Sequence, residues 1–124
     1  MSRPNRLARL RLLELEDRAL PAPLLHVHDS SGRLFTVDVP TGDVQLIGSM
    51  GTVMFDIAFD GSGKLFGVDG GSTLYTIDVN TAATTEIGNL GGTVNSLVFS
   101  HGGELFAAGS NLYRVDTGTG AATN

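Results

Sequence analysis

Three features of the sequence predict an all-β fold. A motif returns every forty residues, each return holds four strand-sized segments, and the apolar residues come in short runs punctuated by 17 glycines. Four short strands per unit of that length is the spacing of a blade in a β-propeller. The expected architecture is a partial β-propeller of about two and a half to three four-stranded antiparallel blades. A short N-terminal helix or disordered leader precedes it.

The leader is expected over residues 1–24, whose composition differs from everything after it. It carries Arg3, Arg6, Arg9, Arg11 and Arg18 against Glu14, Glu16 and Asp17, a charge of +2. Leu20-Pro-Ala-Pro23 ends any helix. On a helical wheel Leu7, Leu10, Leu12, Leu13 and Leu15 scatter around the whole circumference, which argues against a helix lying on a membrane. Arg11 and Glu14 interrupt the apolar core that a secretory signal needs. The core Leu12-Leu-Glu-Leu-Glu-Asp-Arg-Ala-Leu20 resembles the leader of many large planctomycete surface proteins, a likeness over under a tenth of the chain. That resemblance implies an exported or cell-surface protein; a basic tail on a cytoplasmic protein is the alternative.

The blades follow. Leu34-Phe-Thr-Val-Asp-Val-Pro-Thr-Gly-Asp-Val-Gln-Leu-Ile-Gly48 returns as Leu74-Tyr-Thr-Ile-Asp-Val-Asn-Thr-Ala-Ala-Thr-Thr-Glu-Ile-Gly88, and begins again as Leu112-Tyr-Arg-Val-Asp-Thr-Gly-Thr-Gly120. Between them, Ile57-Ala-Phe-Asp-Gly-Ser-Gly-Lys-Leu-Phe66 matches Leu97-Val-Phe-Ser-His-Gly-Gly-Glu-Leu-Phe106, and Leu25 to Asp29 keep register with Leu65 to Asp69. The third copy runs two residues early because Ser72 and Thr73 have no counterpart before Leu112. In the full unit the strands are expected at about 54–59, 65–69, 74–79 and 84–87, with Asp60-Gly-Ser-Gly63 and Asp69-Gly-Gly-Ser72 as turns. Helical repeats of the same period are excluded, because glycine breaks every stretch long enough for 3.6-residue spacing. The expected core is Ile57, Phe59, Leu65, Leu74, Ile77, Leu97, Phe99, Leu105 and Leu112, with Phe59→Ala costing about 3–5 kcal/mol if the ring is buried.

The unit Asp56-Ile-Ala-Phe59, Gly63-Lys-Leu-Phe-Gly-Val-Asp69, Leu74-Tyr-Thr-Ile-Asp78 resembles the propeller superfamily of NHL and quinoprotein-like repeats. The resemblance implies that 56–59 belong to an innermost strand lining a central channel, so that residues 25–47 form an incomplete blade, 54–88 a complete one, and 94–124 a blade that stops inside its last strand. Quinoprotein repeats carry a Trp after the Asp-x-x-Thr-Gly turn that locks adjacent blades. Here Leu46-Ile-Gly48 and Glu86-Ile-Gly88 stand there and the chain has no Trp, which argues against a pyrroloquinoline-quinone dehydrogenase.

Composition narrows function further. The residues after the leader hold three basic against ten acidic groups, a charge of −7 within the total of −5, which repels nucleic-acid backbones. No apolar run nears the roughly 20 residues of a membrane span. With no cysteine there is neither a disulfide framework nor a thiolate metal site.

Candidate sites are few. His26 and His28, beside Asp29, fall on one side of a strand, yet two imidazoles are not a metal site and strand packing accounts for them. Asp38, Asp78 and Asp116, each followed by Thr41, Thr81 or Thr119, recur once per blade; a carboxylate accepting amides of its own turn explains all three. Asp56 faces the channel by analogy, but its counterpart is Ser96, so no carboxylate ring forms. Gly70-Gly-Ser72 and Gly91-Gly-Thr-Val94 are turns, not phosphate loops. No catalytic, cofactor-binding or metal-binding residue is assigned, and no cofactor is expected. The expected function is a non-enzymatic exported repeat module, a scaffold or interaction surface and a fragment of a longer propeller protein, with other proteins or a second copy as partners. The alternatives are part of a propeller enzyme, hydrolase-like, with its active residues in other blades, or a propeller closed by several copies. Open blade faces are also expected to make the isolated chain self-associate.

Overall fold

The computed structural model describes residues 23–124. The leader expectation, and any helix within it, lies on residues outside that range except at its last two positions. Eleven strands follow in chain order: β1 (Leu24–His28), β2 (Arg33–Asp38), β3 (Val44–Ser49), β4 (Met54–Phe59), β5 (Leu65–Asp69), β6 (Thr73–Ile77), β7 (Thr84–Asn89), β8 (Val94–Phe99), β9 (Leu105–Gly109), β10 (Leu112–Val115) and β11 (Ala122–Thr123). They form three antiparallel meanders, ordered β1-β2-β3, β4-β5-β6-β7 and β8-β9-β10-β11. The described residues contain no helix, so none is long and apolar enough to cross a membrane.

Short-range chemistry makes the meanders. The β4–β5 connection turns on Asp60, whose Oδ1 accepts the Ser62 amide at 2.9 Å, the Ser62 hydroxyl at 2.7 Å and the Lys64 amide at 2.9 Å. Gly63 then takes φ 87°, a left-handed conformation that costs a side-chain-bearing residue more than glycine. Asp69 closes the next turn, accepting the amides of Gly71 and Thr73 at 3.0 Å each.

The middle sheet is apolar on both faces because both are covered. Toward the first sheet, Leu65, Ile77, Met54 and Ala82 bury themselves against Leu34 and Met50. Toward the third, Phe66, Val68 and Leu74 meet Leu97, Leu105 and Val115. A sheet buried on two sides loses the inside-outside alternation of a half-solvated one.

Five of the nine expected core residues (Leu65, Leu74, Ile77, Leu97 and Leu105) are buried, and Ile57 and Phe99 pack half-buried against the two clusters. Phe59 and Leu112 are exceptions, exposed by 40% and 62%. Leu112 has the side-chain position of Leu34 and Leu74, both at 0%, but no further sheet among the described residues lies against it. Phe59 matches Phe99, whose ring leans on Phe66 at 5.2 Å between centroids. Its own partner is His26, edge-on at 5.0 Å, and the first sheet has no fourth strand among the described residues to cover the rest. The large cost expected for Phe59→Ala is therefore withdrawn.

Leu74→Ala should lower unfolding free energy by about 2–5 kcal/mol, whereas Phe59→Ala and Leu112→Ala should each cost about 1 kcal/mol or less. Urea denaturation of the three variants at one protein concentration checks this; equal losses at Leu74 and Leu112 would contradict the assigned faces.

Candidate interaction surface

The carboxylates singled out by the repeat are engaged in their own turns. Asp38 Oδ1 accepts the Thr41 amide at 3.0 Å, Asp78 Oδ1 the Asn80 amide at 2.8 Å, and Asp116 Oδ1 the Gly118 amide at 2.7 Å. Asp29 is held below the usual carboxylate range chiefly by the Arg33 side chain, whose Nε donates at 2.8 Å. Asp60 is held low chiefly by the Ser62 hydroxyl. Burial pushes the Tyr75 phenol up, helped by Asp69, which accepts its O–H at 3.0 Å.

Asp56 has a role its sequence context did not reveal. Its Oδ2 accepts the Leu97 amide at 2.7 Å, while Oδ1 takes the Ile57 amide at 2.9 Å. One side chain thus ties the first strand of the middle sheet to the first strand of the third. The counterpart Ser96 hydrogen-bonds within its own sheet, to the Ala108 carbonyl at 3.2 Å.

His26 and His28 do lie on one side of β1, facing the middle sheet. His26 is taken up by the Phe59 ring, and His28 stands where Val68 stands one repeat on. Nδ1 of His28 is buried without a hydrogen-bond partner. Beside it an open cleft of about 340 Å³ is lined by His28, Asp29, Ser30, Val53, Met54, Phe55 and Asn95. Among the described residues no three His, Cys, Asp or Glu side chains converge.

Among the described residues, the outer faces of the end sheets carry exposed apolar side chains. Register puts Leu25 opposite Val37, Val27 opposite Phe35, Phe35 opposite Leu46 and Val37 opposite Val44, so these six side chains share the outer face of the first sheet. Leu25, Val44 and Leu46 are exposed by 54%, 60% and 59%. On the third sheet Val98 pairs with Phe106 and Ala108 with Leu112. There Phe106, Leu112, Arg114, Thr123 and Asn124 line a groove of about 300 Å³.

Comparison with solved structures identifies what these sheets are. The chain is similar to a structural-genomics protein of unknown function from Bacteroides thetaiotaomicron, at a TM-score of 0.66 and 15% identity over 81% of this chain and 29% of that one. It is also similar to the hydrazine synthase of Kuenenia stuttgartiensis, at 0.61 and 16% over 82% and 31%. A third likeness is to YCF48 bound to D1 peptide, at 0.56 and 16% over 85% and 36%. All three are β-propellers. This chain folds as propeller blades. It spans about a third of the length of each of those structures. No family model matches it, and no curated protein matches its sequence.

The blades also lock without tryptophan. At the Ile-Gly step of β3, a side chain on Gly48 would stand 2.7 Å from the Thr81 carbonyl of the next blade, and Gly88 meets the Thr119 carbonyl in the same way. Bare backbone admits the neighbouring turn where a bulky side chain would hold it off.

Asp56→Ala should cost about 1.5–3 kcal/mol, the range for a hydrogen bond to a charged acceptor. Its mark would be faster amide exchange at Leu97, and unchanged exchange there would dismiss the inter-blade bond. His28→Val, which copies Val68, should instead stabilise by about 1 kcal/mol through removal of an unpaired buried polar atom. Thermal denaturation reads the sign, and a loss of stability would show that Nδ1 has a partner.

Proposed function

We infer that the chain is a non-enzymatic, exported repeat module, a portion of a longer propeller protein, that works as a scaffold or interaction surface. The observation that carries this reading is the pair of apolar outer blade faces, Leu25, Val44 and Leu46 at one end and Val98 and Leu112 at the other. Exposed apolar patches of this kind mark contact surfaces, for a further blade of the same propeller or for another protein. The turn carboxylates, by contrast, are already bonded to backbone amides of their own turns. Propeller folds commonly carry protein interactions, and YCF48 is described with a peptide bound. Export rests on the leader motif Leu12–Leu20 and the +2 charge of residues 1–24.

Two measurements test the two halves. The full chain, expressed in a bacterium with a periplasm, should appear outside the cytoplasm, and a variant lacking residues 1–24 should stay inside; equal cytoplasmic retention of both would end the export reading. A photo-crosslinking residue at position 112 should yield adducts in cells, whereas one at Ser62, in a polar turn, should not. No adduct from position 112 would end the interaction reading.

A further inference from the structure

The rim on which β4 and β8 begin carries residues that differ from copy to copy. β4 has a bulge between Met54 and Asp56, and β8 has the same bulge between Val94 and Ser96. Phe55 and Asn95 therefore have no partner across the ladder, and a bulge re-aims such a side chain. Phe55 lies over the β5–β6 turn, where a side chain on Gly70 would stand 3.0 Å from the tip of its ring. Residue 70 is glycine in this blade alone; its counterparts are Ser30 and Ser110. The ring is 52% exposed and Val53 is 41% exposed, where the third blade has Asn95 and Thr93.

These two side chains form one side of the cleft of about 340 Å³ that His28, Asp29, Ser30, Met54 and Asn95 complete. The counterparts of His28 are Val68 and Ala108, so its imidazole, with Nδ1 unpartnered, is a departure that the stack does not need. Asp29, the one carboxylate in the lining, is taken by Arg33 at 2.8 Å and by the Ser31 amide at 2.9 Å. What remains is an aromatic platform bordered by an imidazole, a hydroxyl and an amide. The walls stand on the inner side of the first blade and on the second and third, so blades added beyond either outer face leave the cleft as it is. A strand added beside β1 would bring one residue over Ser30, as β4 brings Phe55 over Gly70, and would form part of that wall.

We propose that this cleft binds a neutral sugar, a pyranose whose C–H face lies on Phe55 and whose hydroxyls meet His28, Ser30 and Asn95. An aromatic face is negative and attracts the weakly positive C–H groups of such a ring. A hydroxyl both donates and accepts, so it satisfies an imidazole in either tautomer and an amide from either end. An apolar wall with a few convergent polar groups is the usual composition of a small-molecule site. With Asp29 already paired, the lining offers no free carboxylate to hold a cationic ligand. The site is separate from the outer blade faces and goes beyond the interaction reading built on them.

The test is saturation-transfer NMR of the full chain with the methyl glycosides of glucose, galactose, mannose and N-acetylglucosamine, at concentrations up to about 20 mM, where millimolar affinities register. The tetramers of glucose and N-acetylglucosamine are run beside them. At least one should bind, with transfer strongest at the protons of one ring face. A tetramer bound more tightly than its monomer assigns the site to a glycan chain and an equal affinity assigns it to a single sugar, and either supports the proposal. Phe55→Tyr should keep the affinity, whereas Phe55→Ala and Phe55→Leu should each weaken it at least about tenfold, because leucine restores apolar area without an aromatic face. His28→Val should weaken binding while raising thermal stability, which separates recognition from folding. No transfer to any sugar overturns the proposal. So does equal binding by Phe55→Leu, or unchanged binding by His28→Val. If Phe55→Ala fails to fold by circular dichroism, the tyrosine and leucine variants carry the comparison. None of these outcomes alters the adducts expected from position 112, so failure here leaves the interaction reading standing.

Discussion

Everything in this molecule depends on covering sheet faces with other sheets. A four-stranded meander of about 35 residues cannot bury both its faces alone, and in repeat architectures stability resides largely in the contacts between neighbours. The middle blade shows the requirement met. Leu65 and Ile77 on one side and Phe66 and Leu74 on the other are each buried to 4% exposure or less, all by residues of adjacent blades. The end blades have the same residue types, with one face uncovered among the described residues. Exposure here is set by a residue's place in the stack, not by its own hydrophobicity.

Polar groups serve the same end. The aspartates hold the tight turns between strands of two to six residues, and short strands let the next blade approach along its whole length. Where blades touch through backbone, glycine at 48 and 88 clears the way; where they touch through a side chain, Asp56 reaches across to the Leu97 amide. Local turn chemistry and inter-blade packing are thus two parts of one arrangement.

The all-β class, the meander order and most strand positions were legible because turn residues and period-two patterning act over a few residues, and three copies repeat the message. Leu65, Leu74 and Leu105 were legible as core for the same reason. Phe59 and Leu112 were not, because the repeat reports what a position is in an average blade, whereas burial depends on whether a neighbour exists on that side. Asp56 was read as a channel-facing acid. Its acceptor role depends on an amide 41 residues away in another blade, which no local pattern encodes. The sharpest clue to the candidate surface, the apolar Val44 and Leu46, was present in the sequence but not separable until strand register placed them on an outer face.

That last point bears on how a repeat protein comes to have a function at all. Residues shared between copies, the turn aspartates and the leucines of β2, β5, β6 and β9, build the stack and are occupied in doing so. Chemistry that distinguishes one blade from another must lie where the copies differ. The sequence differs most tellingly at 26, 66 and 106 (His, Phe, Phe) and at 46, 86 and 124 (Leu, Glu, Asn). The first set lies on the side that meets the following blade, and there His26 replaces an aromatic ring yet keeps the aromatic contact, now with Phe59. The second set lies on the side that meets the preceding blade, and only the first blade puts a large aliphatic residue there. A face that had no partner would gain nothing from exchanging a polar residue for leucine, and would pay in solubility. Where the second and third blades have Glu86 and Asn124, Leu46 gives the outer face of the first blade the apolar character that contact with another surface requires.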